Sequence, residues 1–137
     1  MREIKESFSM VTYPGGDNVV EYHYQCKSCE LEVKKLVDAS RGKKWEDIPV
    51  EIIEYQHDSL PFLVSHSYPF YIPAYMSAGI LQYFFRSCED IMWNTVCSLC
   101  RQSEELHKGI PIEKSCDQHY YLSLRQRIIA RRYLILA

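Results

Sequence analysis

LPFLVSHSYPFYIPAYMSAGILQYFF, residues 60–85, is the most apolar and most aromatic stretch of the chain, and its reading decides the fold. It holds eight of the eighteen aromatic residues and no Asp, Glu, Lys or Arg. Such a run has to be buried, and the segments on either side carry apolar residues at helical spacing that can cover it. The run is long enough on paper to cross a bilayer, for which about 20 apolar residues suffice. Pro61, Pro69 and Pro73, with Ser65, His66, Ser67 and Gln82, argue against that, because a lipid-facing helix broken there would leave backbone groups without partners. Past Pro73, the residues Ala74, Ile80, Leu81 and Phe84, with small Ala78 and Gly79, predict a central helix to about Arg86 that a neighbour can approach closely. Upstream, Ser65 or Ser67 can cap a segment with Pro69 in its first turn, and Pro73 then kinks that helix or starts a new one.

Working outward toward the N-terminus, Asp47 can cap a helix from about Val50 to Ser59, with Pro49 in an early turn. It would turn Ile52, Ile53 and Leu60 inward and leave Glu51, Glu54 and Asp58 in water. The spacing of Tyr22, Cys26, Cys29, Val33, Leu36 and Val37 predicts an amphipathic helix over Glu21–Ala39, closed by Gly42 in the left-handed conformation. Tyr13 to Asn18 form a turn, and Arg2–Phe8 a short first helix. Toward the C-terminus, Glu89–Glu105 predicts a helix with Ile91, Met92, Val96 and Leu99 inward. A last helix over about Tyr120–Leu136 places Leu124, Ile128, Ile129 and Ile135 against Arg125, Arg127, Arg131 and Arg132. The expected fold is therefore all-α, a single domain over residues 1–137 with five to six helices around the central apolar one, a size that allows a core without covalent staples.

Segments of this chain resemble an uncharacterised family of small bacterial proteins, a domain of unknown function. They are Tyr13-Pro14-Gly15-Gly16-Asp17-Asn18, Cys26-x-x-Cys29, Trp45-x-Asp47-Ile48-Pro49, Asp58-Ser59-Leu60-x-Phe62-Leu63 and Phe70-Tyr71-Ile72-Pro73-Ala74-Tyr75. The end of the chain, Leu122 to Leu134 with Gln126 among apolar neighbours, is similar too. The chain departs from the family at Ser65 to Pro69, where a capping Ser or Thr followed by Pro-Glu is expected. The resemblance implies a bacterial, cytoplasmic helical domain, and it transfers no catalytic residues.

With 18 acids against 16 bases, the formal charge of −2 gives no global field to attract nucleic acid or an anionic membrane, and either partner would need a local patch. Neither is expected. The polar MREIKESFSM start lacks a basic region followed by an apolar one, so no secretory leader is expected and the cysteines should be reduced.

The sharpest candidate chemistry is a pair of C-x-x-C motifs, Cys26/Cys29 and Cys97/Cys100, since four thiolates supplied two by two are a common zinc set. The 67 residues between them exceed the spacing of zinc ribbons, and buried cysteines on helix faces are the competing reading. A thioredoxin-like role would need the first thiol at a helix N-terminus after a strand, which the pattern lacks. Glu54/His57 and Glu104/His107 have the Glu-x-x-His spacing of di-iron bundles, although Glu104/His107 falls at a helix end beside Gly109. His66 beside the aromatic run is a candidate general base, and the arginines of the last helix are candidates for phosphate contact or a solvated face. No nucleophile elbow and no catalytic constellation is present. The expectation is a non-enzymatic protein-binding protein of the immunity or accessory type, because Tyr and Trp concentrate at interfaces. The alternative is a zinc-binding protein, structural or catalytic, with no other cofactor implied.

Overall fold

The computed structural model describes residues 1–15, 19, 27–64, 66–85, 90–107 and 122–136, with only the backbone of helical residues 27–32, 83–85, 100–107 and 136. These residues form six α-helices: α1 (Arg2–Phe8), α2 (Lys27–Ser40), α3 (Val50–Tyr55), α4 (Tyr68–Phe85), α5 (Asp90–His107) and α6 (Leu124–Leu136). Short 3₁₀ turns occupy Trp45–Asp47 and Leu60–Phe62. Among the described residues there is no strand, and no helix is long and apolar enough to cross a membrane.

Helix α4 is the centre of the fold. Tyr68, Phe70, Tyr71, Ile72, Tyr75 and Met76 are each at most 1% exposed, and α1, α3, α5 and both 3₁₀ turns pack around it. It runs unbroken through Pro73, where the sequence predicts a kink or a fresh start. A proline inside a helix costs about 3 kcal/mol, whereas burying each large apolar side chain contributes about 1.5–3 kcal/mol, so burial on every side outweighs the lost backbone bond.

Three tyrosines of α4 tie it by their hydroxyls to three other elements. Tyr71 Oη lies 2.8 Å from Ser40 Oγ at the end of α2. Because Ser40 donates its own proton to the Leu36 carbonyl at 2.8 Å, Tyr71 is the donor to Ser40. Tyr68 Oη is 3.2 Å from Ser98 Oγ on α5, and Tyr75 donates to the Gln56 carbonyl just beyond α3. Burial pushes all three phenols well above the ordinary tyrosine range, with the Ser98, Ser40 and Ser59 hydroxyls opposing at Tyr68, Tyr71 and Tyr75 respectively. Phe70 stands edge-on to both Tyr13 and Tyr71, with ring centroids 5.4 and 5.0 Å apart.

The termini close over this centre as an antiparallel pair. Arg132 reaches Glu3 at 2.8 Å, Arg125 reaches Glu6 at 3.4 Å, and Gln126 Nε2 donates to the Ser7 carbonyl at 3.3 Å. Helix α6 starts at Leu124 rather than near Tyr120 because Ser123 and Gln126 form a capping box. The Ser123 amide donates to Gln126 Oε1 at 2.8 Å and the Gln126 amide to Ser123 Oγ at 3.3 Å.

Several local expectations need correction. Asp47 ends a 3₁₀ turn instead of capping α3, whose N-cap is Pro49 with no side-chain bond, and α3 stops at Tyr55. Ser65 lies outside the described residues, and Ser67 does not cap α4 through its side chain: its buried hydroxyl has no partner among the described residues, while its carbonyl receives the Phe70 and Tyr71 amides. The inner face of α6 is Gln126, Ile129, Ala130 and Tyr133, and Leu124, Ile128 and Ile135 point outward. Gly42 does take a positive φ, 69°, past the end of α2.

Candidate interaction faces

Each predicted site residue has a definite place, or lies outside the described residues. Cys97 is a free, exposed thiol on α5. Cys29 and Cys100 lie in α2 and α5 with only their backbones described, and Cys26, with Cys88 and Cys116, falls outside the described residues. Among the described residues no three His, Cys, Asp or Glu side chains gather to hold a metal ion. Of the Glu-x-x-His pairs, Glu54 and His57 are half-buried, and the side chains of Glu104 and His107 are not described. His66 is exposed.

The buried hydroxyls serve the fold. Tyr68, Tyr71 and Tyr75 are each 0% exposed and already bonded, so substrate cannot reach them. This narrows the argument from tyrosine abundance: among the described side chains, the exposed aromatic residues are Trp93, 67% exposed, and Tyr55, 62% exposed. Tyr55 is engaged by Lys35, whose Nζ lies 4.1 Å from the ring centroid.

A cavity of about 260 Å³ opens between α1, α3, α4 and the first 3₁₀ turn, lined chiefly by Trp45, Ile48, Ile53, Ala74, Ser77 and Leu81. The Lys5–Glu46 ion pair, 3.7 Å, stands beside it. Ser77 Oγ is wholly shielded and has no hydrogen-bond partner among the described residues.

Two outward faces remain. On α5, Trp93 and Cys97 stand one turn apart on the outermost line of the helix. Next to Trp93 in the chain, Asn94 Nδ2 donates to His57 Nδ1 at 2.9 Å. On α6, Leu124, Ile128 and Ile135 are 69%, 46% and 79% exposed. They share one line down the helix, with Arg127 and Arg131 on one flank and Arg125 and Arg132 on the other. Helical periodicity already groups the three aliphatic residues of α6; the sequence gives no sign that this group faces outward.

Comparison of the chain with protein-family models, with curated proteins and with solved structures returns no match.

Proposed function

From these faces we propose that the protein is a non-enzymatic, protein-binding protein of the immunity or accessory type, and that its partner docks on α5 around Trp93. The observation that carries this reading is Trp93 itself. An indole left two-thirds exposed on a helix held by a packed core is the kind of residue on which binding energy concentrates. Asn94, next to it on the same helix, and His57, just past α3, are bonded to each other at 2.9 Å and add half-buried polar groups. A bacterial, cytoplasmic setting is part of the same proposal.

The test is capture from the producing cell's lysate by wild-type protein and by Trp93→Ala, with both shown to be folded. Wild type should retain one specific partner at moderate salt, and Trp93→Ala should weaken the complex by about 30-fold or more, the effect of losing a hot-spot residue. Equal capture by both proteins, or an empty capture, contradicts the proposal.

A further inference from the structure

We propose that the outer face of α6 is a contact for an anionic lipid surface. The overall charge predicts no membrane partner unless a local patch supplies one, and α6 supplies it. Its outermost line is Leu124, Ile128 and Ile135, three large aliphatic side chains with no role in the core. The helix is 13 residues long, so the ridge spans roughly 16 Å at the 1.5 Å rise per residue.

The charges flanking this ridge decide its occupant. Arg125 and Arg132 are matched by Glu6 and Glu3 of α1. Arg127 and Arg131, exposed on the other flank, have no acidic partner among the described residues. The complementary surface is therefore apolar along its middle and anionic at its edge. A second copy of α6 laid on this ridge would set arginine against arginine. Nucleic acid would answer the arginines but leave the aliphatic ridge unused, since the exposed ridge has no aromatic ring on which a base could stack. An anionic bilayer answers both features. Aliphatic side chains enter the boundary between head groups and acyl chains, and arginines at the same depth meet the phosphates.

The test is sedimentation of the full chain with vesicles of phosphatidylcholine alone and of phosphatidylcholine with about 30% phosphatidylglycerol, at about 50 mM salt where screening is weak. The protein should bind the anionic vesicles at least tenfold more tightly, and raising the salt should weaken that binding. Arg127→Glu with Arg131→Glu, and separately Ile128→Ser with Ile135→Ser, should each lower it at least tenfold with unchanged helix content, because all four side chains are exposed. Trp93→Ala should bind vesicles as wild type does, which separates this face from the one on α5. No binding to anionic vesicles, equal binding to both vesicle types, or indifference to either double substitution overturns the proposal. So does binding to an RNA oligonucleotide that depends on the arginines and not on the isoleucines, or capture of an acidic protein by this face without vesicle binding.

Discussion

The hydroxyl of Tyr133 on α6 lies against Gly79 of α4, in the space where a side chain at position 79 would begin. The Met92 Cα of α5, 3.3 Å from the same point, closes the other side, so three helices meet at one glycine. Gly79→Ala should destabilise the protein by about 1–3 kcal/mol through overpacking. Tyr133→Phe removes the blocking oxygen, and the double variant should recover most of that loss. Urea unfolding of the four-member cycle measures the coupling, and additive effects would refute the contact.

The Ser40–Tyr71 bond gives a second expectation. Ser40→Ala leaves the buried Tyr71 hydroxyl without its acceptor, a cost of about 1–3 kcal/mol, and Tyr71→Phe in the same chain should return part of it. Equilibrium unfolding of both variants checks this.

Gln126 should be costlier than a buried glutamine at large, since its side chain holds the Ser123 amide and the Ser7 carbonyl together. Gln126→Glu keeps the acceptor for Ser123 and loses the donor to Ser7. It should therefore fall between wild type and Gln126→Ala in melting temperature, with the alanine variant down by about 1–3 kcal/mol.

The central helix and the small residues that let neighbours approach it were legible in the sequence because they depend on composition and local spacing alone. So was the left-handed Gly42. The inward face of α6 was not. Its apolar residues occur on both sides of the helix, and the deciding groups are Tyr133, which packs near Gly79, and Gln126, which bonds α1 more than a hundred residues away. The burial of Tyr68, Tyr71 and Tyr75 was legible in the apolar run that contains them, whereas the partners of their hydroxyls are long-range and were not. Of the four candidate zinc ligands, Cys26, Cys29, Cys97 and Cys100, only Cys97 has a described side chain.

Stability should fall at alkaline pH. Burial pushes the Tyr133 phenol up to about 12, Thr95 opposing, and raises Tyr68, Tyr71 and Tyr75 further. The unfolded chain ionises its tyrosines near pH 10 while the folded chain keeps these neutral, so unfolding releases protons. The stabilisation is complete below about pH 10 and is lost as pH rises toward and past about 12, which urea unfolding at about pH 8 and pH 11 will show as a lower midpoint at the higher pH.

Cys97 should react at once with a thiol reagent in the native protein, as an exposed free thiol does, and peptide mapping after a short pulse identifies it. If Cys97 were held by zinc with Cys26, Cys29 and Cys100, it would label only after a chelator is added.

The most direct measurement of the proposed function is photocrosslinking in the producing cell, with a photoreactive phenylalanine analogue at exposed position 97, one turn from Trp93, and, as control, at exposed position 51. One discrete protein adduct from position 97 and none from position 51 is the predicted result. No adduct at 97, or the same adducts from both positions, would contradict docking on the Trp93 face.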